Sequence, residues 1–341
     1  MERIGILTGG GDCPGLNAVI RAIVRCGTAE NWQVIGFRNG WKGMLDDDFI
    51  VLDNQAVSGI LPKGGTILGT SRTNPCKDQQ NLDKVRSTFN KHALGGLIAI
   101  GGEDTLGAAS KLFDEGLKVV GVPKTIDNDL NATDYTFGYD TALNIATECI
   151  DRLHSTAESH NRVMVVEIMG RHAGWIALEA GIAGGADIIL IPEVPIKIDE
   201  VCDLIRLRHK RGRTFSIVAI AEGAKLADSD VTVDAKKDQF GHVRLGGVGQ
   251  QVGEIIEKKT GFETRVTVLG HIQRGGTPTA FDRVLGTRFG VKAVDLVKRG
   301  KFGFMASLQG RDVSEVPLKA AVGELKLVPA EYYELAKKFF G

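Results

Sequence analysis

The 341-residue sequence lacks an excess of charge of either sign, because 42 Lys and Arg residues balance 42 Asp and Glu residues. No global field therefore recruits nucleic acid or an anionic membrane surface. It has no apolar run near the roughly 18 residues that a membrane span needs. The five cysteines form no CxxC pair, which predicts free thiols in a reducing compartment. With a first strand that leaves no room for a signal peptide, these absences predict a cytoplasmic protein.

Two common nucleotide-binding motifs are also missing. The sequence contains neither GxxxxGK[ST] nor GxGxxG, which argues against a Walker-type enzyme and against a simple nicotinamide oxidoreductase. Hydrophobic residues make up 43% of the chain, which is enough to bury substantial cores. The length predicts two domains of about 150 residues each.

Short apolar runs rich in β-branched residues alternate with amphipathic helices along the chain. Continuous rather than alternating apolarity is typical of parallel strands that are covered on both faces. The repeated βα units predict an α/β fold with doubly wound parallel sheets. The predicted strands are residues 4–8, 33–37, 97–100, 119–122, 163–168, 188–191, 215–221 and 266–269.

Three further features complete the predicted organisation. A long helix begins near Tyr139, where the chain is expected to cross from one half of the molecule to the other. The polar residues 225–247 predict a surface hairpin or loop, and the tail is expected to end in a helix containing Tyr332, Leu335 and Phe339.

The most informative segment is Pro-Lys-Thr-Ile-Asp-Asn-Asp at residues 123–129. It follows a predicted strand, and open α/β sheets bind ligands at the carboxyl ends of their strands. Asp127 and Asp129 are two residues apart, so an extended backbone would point both carboxylates the same way. With the ammonium of Lys124 and the hydroxyl of Thr125, they suit a phosphate held beside a proton acceptor. The segment therefore predicts phosphoryl transfer.

Glycine-rich turns follow two other predicted strands. Residues 8–15 read Thr-Gly-Gly-Gly-Asp-Cys-Pro-Gly, a turn that can bring backbone amides and a helix N-terminus to an anion. In Gly-Gly-Glu-Asp-Thr at residues 101–105, the carboxylate of Glu103 can hold Mg²⁺. Thr105 can simply cap the helix that follows.

Two later segments add basic residues. Arg171 lies in Met-Gly-Arg-His-Ala-Gly-Trp at residues 169–175, where it can clamp a phosphate or stabilise transition-state charge. His271 and Arg274, in residues 269–276, can bind a second phosphate. Arg162 and Arg265 would be solvated surface residues in the absence of further information.

Together these motifs resemble those of the phosphofructokinase family, in the family's order and over nearly the whole chain. The matching motifs are Gly-Gly-Gly-Asp-x-Pro-Gly-x-Asn, Thr-Ile-Asp-Asn-Asp, Met-Gly-Arg-x-x-Gly and Gly-x-x-Gln-Arg-Gly-Gly. The resemblance implies two Rossmann-like sheets with helices on both faces and an active site in the cleft between two domains. The implied phosphoryl-donor domain is residues 1–139 plus 275–323, and the implied fructose 6-phosphate domain is residues 140–274 plus 324–341.

The family's enzymes phosphorylate the 1-hydroxyl of fructose 6-phosphate. The resemblance implies that Asp127 is the general base and that Asp129 supports Mg²⁺ and the transferring group, with Arg171 stabilising that group. The implied catalytic residues are Lys124, Thr125, Asp127, Asp129 and Arg171. The implied fructose 6-phosphate ligands are Thr125, Asp127, Asp129, Arg162, Met169, Gly170, Arg171, Glu222, Arg265, His271 and Arg274. On the donor side are Gly11, Arg72, Gly102, Asp104 and Lys124, with Glu103 as the metal ligand.

The implied donor depends on Asp104 and Lys124. ATP-dependent relatives typically have glycine in place of Asp104 and usually in place of Lys124, whereas pyrophosphate-dependent relatives have aspartate and lysine. Asp104 fills the space of a nucleotide α-phosphate and repels it, so magnesium pyrophosphate is the expected donor and the reaction is expected to be reversible. ATP remains the alternative donor, and a non-catalytic sugar-phosphate sensor is a remote alternative.

The resemblance also implies a homo-oligomer. Arg162 and Arg265 are expected to reach the site of a neighbouring subunit, which requires at least a dimer. A homodimer and a homotetramer both satisfy this expectation.

Overall fold

The computed structural model describes residues 2–227 and 246–341, and these residues form an α/β fold with two sheets. The strands are β1 (Arg3–Thr8), β2 (Gln33–Phe37), β3 (Phe49–Leu52), β4 (Leu94–Gly101), β5 (Val119–Pro123), β6 (Val163–Ile168), β7 (Ile188–Leu190), β8 (Ser216–Ala221), β9 (Thr264–Val268), β10 (Phe304–Gln309) and β11 (Asp312–Pro317). The helices are α1 (Leu16–Ala29), α2 (Trp41–Asp46), α3 (Gln79–Lys91), α4 (Glu103–Asp114), α5 (Tyr139–His160), α6 (Trp175–Ala183), α7 (Ile198–Lys210), α8 (Val248–Thr260), α9 (Ala280–Lys298), α10 (Leu318–Ala321) and α11 (Ala330–Lys337), with a 3₁₀ turn at Gly270–Arg274. Most of the predicted loop 225–247 lies outside the described residues.

The larger sheet is mixed rather than wholly parallel. Its order is β11-β10-β5-β4-β1-β2-β3, and the strands from β10 to β2 are parallel. The edge strands β3 and β11 run antiparallel to β2 and β10. The prediction of parallel strands is therefore wrong at both edges, and β3, β10 and β11 were not predicted. β11 is half-buried and polar, so it lacks the continuous apolar run of a central strand. β3 is an apolar run of four residues, Phe-Ile-Val-Leu, although it is only partly buried at the edge of the sheet.

The smaller sheet is parallel throughout, with the order β7-β8-β6-β9. All residues of β6 are buried. They include Glu167, which interrupts the apolar run and accepts hydrogen bonds from the amides of Gly247 and Gly249. The predicted bounds of this strand, residues 163–168, are confirmed.

Helices cover both faces of both sheets, as predicted. A single apolar cluster joins one face of each sheet, because it includes Ile98 and Ile100 of β4 together with Val166 and Ile168 of β6. Helices α1, α5, α6 and α9 contribute many other residues to that cluster. Two further clusters lie under α3 and α4 and under α7 and α8. No helix in the described part of the chain is long and apolar enough to cross a membrane.

The C-terminal helix is shorter than predicted. Helix α11 contains Tyr332 and Leu335 but ends at Lys337, so Phe339 lies beyond it. The Phe339 side chain is 71% exposed, and burial therefore gives no reason for the helix to continue through it.

Helices α1 and α9 approach closely because a glycine lies at their contact. A Cβ atom at Gly290 would be 2.7 Å from the Cβ of Ala22 and 2.8 Å from the carbonyl oxygen of Val19. By contrast, a Cβ atom at Gly107, in the middle of α4, would meet no atom within 4 Å. The two helical glycines therefore offer a matched pair for the same substitution.

We expect Gly290→Ala to lower the free energy of unfolding by roughly 1–3 kcal/mol, because the added methyl group forces α1 and α9 apart. Gly107→Ala should instead raise it by roughly 0.5–1 kcal/mol, because helical glycine costs backbone entropy. Denaturant unfolding of both variants measures these differences. Similar effects of the two substitutions would contradict the close contact at Gly290.

Candidate active site

The candidate site lies where three neighbouring parallel strands end. Strands β5, β4 and β1 are adjacent in the sheet, so the segments that follow them meet at one edge. The residues that line the pocket there are Gly10, Gly11, Ser71, Arg72, Thr73, Gly102, Glu103, Asp104, Thr105, Lys124, Thr125, Asp127, Asp129, Arg171 and Arg274. All of the predicted donor-side residues and all of the predicted catalytic residues are among them.

The first glycine turn is held by backbone hydrogen bonds. The amide of Gly9 donates to the carbonyl oxygen of Ile100 at 2.9 Å, and the amide of Gly10 donates to that of Ser71 at 3.1 Å. Gly10 has a φ of +79°, a conformation that favours glycine. A Cβ atom at Gly9 would be 2.6 Å from Oγ1 of Thr105. The turn therefore packs directly against the next strand–helix junction.

Thr105 does not cap α4. The N-cap residue of that helix is Gly102, which makes no side-chain cap hydrogen bond, and Thr105 is buried inside the first turn. Glu103 and Asp104 occupy this first turn. The positive end of the helix macrodipole favours both carboxylates there.

Lys124 and Arg274 lie under and beside the glycine turn. The ammonium of Lys124 donates to the carbonyl oxygen of Gly11, and burial lowers the pKa of Lys124. The guanidinium of Arg274 donates to the carbonyl oxygen of Asp12 at 3.2 Å. A Cβ atom at Gly11 would be only 2.6 Å from Nη1 of Arg274. Arg274, predicted as a sugar-phosphate ligand, thus lines the pocket together with the donor-side residues.

The two carboxylates lie on a turn rather than on extended backbone. Asn128, between Asp127 and Asp129, has a φ of +52°, so the predicted extended geometry is wrong even though both acids line the pocket. The amide of Asp127 donates to Oγ1 of Thr125 at 3.0 Å. Asparagine tolerates this left-handed conformation better than most residues.

This turn concentrates negative charge in a buried place. Burial, reinforced by the charge of Asp127, raises the pKa of Asp129. Oδ1 of Asp127 is buried and has no hydrogen-bond partner among the described residues. A buried carboxylate oxygen without a donor is costly in a protein that binds nothing. It is suited to accept a hydrogen bond from a substrate hydroxyl.

Arg171 is presented by a second turn, at the end of β6. Arg171 has a φ of +49°, and its amide donates to Oε1 of Glu222 at 3.2 Å, while that of Gly170 donates to the same oxygen at 3.4 Å. Burial, with the charge of Asp127, raises the pKa of Glu222. Oε1 of Gln273 accepts from the amide of Met169 at 2.9 Å. Glu222 and Gln273 thus hold the backbone that presents Arg171.

Six predicted sugar-phosphate ligands do not line the pocket. Met169, Gly170 and Glu222 belong to the hydrogen bonds that hold the turn of Arg171. Arg162 and Arg265 both bind the carboxylate of Glu263, the former at 2.8 Å. His271 is exposed on the 3₁₀ turn. The described residues thus unite the predicted catalytic and donor-side groups but leave Arg162, Arg265 and His271 apart from them.

Sequence reasoning missed Ser71, Thr73 and Gln273. Ser71 and Thr73 follow no strand, and their only sequence signal is the polar run Thr-Ser-Arg-Thr after Gly69. Gln273 lies inside a recognised motif, but its bond to the amide of Met169 joins residues 104 positions apart.

Two or three carboxylates of the described residues lie where a metal ion could bind. Glu103, Asp127 and Asp129 line one pocket, yet the described residues contain no group of three His, Cys, Asp or Glu side chains that could hold a metal ion. This pattern fits Mg²⁺, which usually binds one or two carboxylates and completes its shell with water and substrate phosphates.

Comparison with known proteins identifies the family. The model of the phosphofructokinase family matches residues 3–297. The chain belongs to the phosphofructokinase family. It is 58% identical to a pyrophosphate–fructose 6-phosphate 1-phosphotransferase of Amycolatopsis methanolica, over 99% of this chain and 100% of that protein. It is 55% identical to an ATP-dependent 6-phosphofructokinase of Mycobacterium leprae, over 99% of this chain and 100% of that protein.

Solved structures agree on the fold. A phosphofructokinase from Saccharomyces cerevisiae matches with a TM-score of 0.80 and 32% identity, over 99% of this chain and 46% of that chain. A pyrophosphate-dependent phosphofructokinase from Marinobacter aquaeolei matches with a TM-score of 0.84 over 97% of this chain and 86% of that chain. The latter is 22% identical and shows the fold alone. The predicted phosphofructokinase fold is confirmed, and enzymes of this family are generally Mg-dependent.

The raised pKa of Asp129 has a consequence for stability. The folded state holds this proton more tightly than the unfolded chain, so its contribution to stability falls as pH rises from about 4 towards the folded pKa. We expect Asp129→Asn to raise the free energy of unfolding at pH 8 by roughly 0.5–2 kcal/mol, with a smaller gain at pH 5. Unfolding at the two pH values measures this difference. The exposed Asp203→Asn serves as control, and equal gains for both variants would contradict the burial of charge at Asp129.

Proposed function

We propose that this phosphofructokinase family member transfers a phosphoryl group reversibly from magnesium pyrophosphate to the 1-hydroxyl of fructose 6-phosphate. The products are fructose 1,6-bisphosphate and phosphate, an interconversion of glycolysis and gluconeogenesis. The observation that carries the proposal is the buried Oδ1 of Asp127, which lacks a partner among the described residues in a pocket that also contains Lys124 and Arg171. An acceptor for a hydroxyl proton thus faces two cations suited to phosphoryl oxygens.

In the proposed reaction, Asp127 accepts the proton of the 1-hydroxyl as its oxygen attacks the phosphorus in line. Arg171 and Lys124 neutralise charge on the phosphoryl oxygens, which is the main task of a protein in this chemistry. Thr125 contacts the transferring group through its hydroxyl. Mg²⁺, held by Glu103 with support from Asp129, would supply further neutralisation of the donor phosphates.

Asp104 favours pyrophosphate over ATP. It lines the pocket from the first turn of α4, where its carboxylate occupies space and adds negative charge beside the donor phosphates. A nucleotide would place a further phosphate there, whereas pyrophosphate needs no such room. The names of the relatives do not exclude either donor. Relatives at 57–58% identity are named as pyrophosphate-dependent enzymes, and a relative at 55% identity is named as an ATP-dependent enzyme.

Fructose 6-phosphate is proposed to bind between the two sheets, beside the turn of residues 169–171. On this proposal, residues 1–139 and 275–323 form the donor domain, and residues 140–274 and 324–341 form the sugar-phosphate domain. Met169, Gly170, Glu222, His271 and Arg274 would contact the sugar phosphate.

A homodimer or homotetramer is proposed because Arg162 and Arg265 do not line the pocket of their own chain. Both are held by Glu263 at the surface of the smaller sheet. Release from this carboxylate would free both guanidinium groups to bind the sugar phosphate of a neighbouring subunit. The five unpaired cysteines are consistent with a cytoplasmic location for the enzyme.

Loss of the proposed base should abolish most turnover. We expect Asp127→Ser to lower kcat by at least roughly 10²–10⁴-fold, the effect typical of removing a general base. The Michaelis constant for pyrophosphate should change far less than kcat. Steady-state kinetics with both substrates measures both quantities, and near-normal turnover in this variant would exclude Asp127 as the base.

The choice of donor is tested by comparing pyrophosphate with ATP at saturating Mg²⁺, with fructose 1,6-bisphosphate detected through aldolase-coupled NADH oxidation. We expect turnover with pyrophosphate and little with ATP, and an improved use of ATP after Asp104→Gly. Turnover with ATP alone would make the protein an ATP-dependent 6-phosphofructokinase. Turnover with neither donor would favour a non-catalytic sugar-phosphate sensor.

A further inference from the structure

The segment between α10 and α11 runs beside the turn that carries the two carboxylates. Leu325 forms an antiparallel bridge with Leu130, and the amide of Lys326 donates to the carbonyl oxygen of Asp129 at 2.9 Å. A part of the chain almost two hundred residues away is therefore bonded to the backbone of Asp129 itself.

The side chain of Lys326 binds Asn128 of this turn and two residues of the loop that follows it. Its ammonium donates to Oδ1 of Asn128 at 3.1 Å and to the carbonyl oxygens of Thr133 at 2.9 Å and Asp134 at 2.8 Å. An ammonium has three hydrogens, so these bonds use all of them. Oδ1 of Asn128 also accepts from the amide of Thr136 at 3.1 Å. The left-handed residue between the two carboxylates is thus held by its own side chain.

The same segment is bonded to the turn that presents Arg171. The carbonyl oxygen of Lys326 accepts from Nε1 of Trp175 at 2.8 Å, and the ammonium lies 5.6 Å from the centre of that ring. Trp175 is the first residue of α6. The carboxylate of Glu193 accepts at 3.0 Å from the amides of both Val328 and Gly174. Residues 326–328 thus bond both turns on which the proposed chemistry depends.

We propose that Lys326 is a positioning residue, which holds the turn of Asp127 and Asp129 in register with the turn of Arg171. The inference rests on the proposed function. Lys326 does not line the pocket, so it would act through Asn128 and Trp175. A displacement of about 1 Å between reacting groups can cost roughly 10²-fold in rate, so a cross-link between the two turns would act on kcat more than on substrate binding.

The charge of Lys326 predicts that its positioning role depends on pH. Burial lowers the pKa of Lys326 to about 8, and the charged groups that face it are Asp134 of the following loop, Asp129 of the turn and Glu179 of α6. Loss of the proton leaves the amine with two hydrogens for three acceptors, so one of the three bonds is lost as pH rises through this value. An arginine at this position would stay charged throughout the range.

The experiment compares Lys326→Met, Lys326→Arg and the control Lys337→Met, the same substitution on an exposed lysine of α11. Kinetic constants for fructose 6-phosphate and pyrophosphate are measured at pH 7, kcat is followed from pH 6 to 9.5, and thermal unfolding reports folding. We expect Lys326→Met to lower kcat roughly 10–100-fold, with both Michaelis constants within about threefold of those of the unsubstituted enzyme. In Lys326→Arg, the alkaline fall of kcat should move to higher pH. Lys337→Met should behave as the unsubstituted enzyme.

A Lys326→Met enzyme with kcat within about twofold of the unsubstituted enzyme would overturn the inference while leaving the proposed function intact. So would unchanged kcat with raised Michaelis constants, because this result would indicate a role in binding. If Lys326→Met does not fold, the test rests on Lys326→Arg. The inference is then overturned if kcat of this variant falls at the same alkaline pH as kcat of the unsubstituted enzyme. An unsubstituted protein without turnover would overturn the proposed function and this inference with it.

Discussion

Two carboxylates held close together in a mostly buried turn are the constraint around which the site is arranged. Asp127 and Asp129 repel each other, and burial adds to the cost of charging them. An unsupported turn would relieve this repulsion by moving one acid into solvent. The hydroxyl of Thr125 accepts a hydrogen bond from the amide of Asp127, and Oδ1 of Asn128 accepts one from the amide of Thr136. These two bonds hold the turn against this movement. Nearby cations lower the cost of the negative charge without pairing with Oδ1 of Asp127, which stays open to a ligand.

Cations next to such a turn must also be kept from forming ion pairs with its carboxylates. The ammonium of Lys124 is bonded to the carbonyl oxygen of Gly11, and the guanidinium of Arg274 to that of Asp12. Both cations are thus bound to neutral carbonyl groups of the glycine turn. A carbonyl group does not neutralise the positive charge of its partner, whereas a carboxylate would. Because these positive charges are already in place before a phosphate binds, the site needs little reorganisation on binding. Glycine at position 11 makes the arrangement possible, because a Cβ atom there would meet Arg274.

Much of the fold and of the site could be predicted from the sequence because both follow from local patterns. Buried parallel strands such as β5 are apolar runs, and the residues that line the pocket follow such strands directly. This rule predicted the positions of Glu103, Asp104, Lys124, Asp127 and Arg171, which all line the pocket. It failed where the determining contact is distant in sequence, as for Gln273 and Lys326, and where a strand is half-buried and polar, as for β11. The left-handed conformation of Asn128 was also missed, since its hydrogen bonds come from Thr136 and from the far end of the chain.

The donor cannot be inferred from overall sequence identity and depends instead on the few residues next to the donor phosphates. Relatives with the two donor names differ by little in their identity to this chain, at 58% and 55%. Overall identity therefore does not separate the two donors. Discrimination requires a difference in free energy at the few atoms that differ between pyrophosphate and ATP. Asp104 lies at the N-terminus of α4, where the helix macrodipole stabilises its charge. The carboxylate is therefore retained at little cost to folding. On the proposed function, the penalty that it imposes would fall on a donor that brings a further phosphate to the same place.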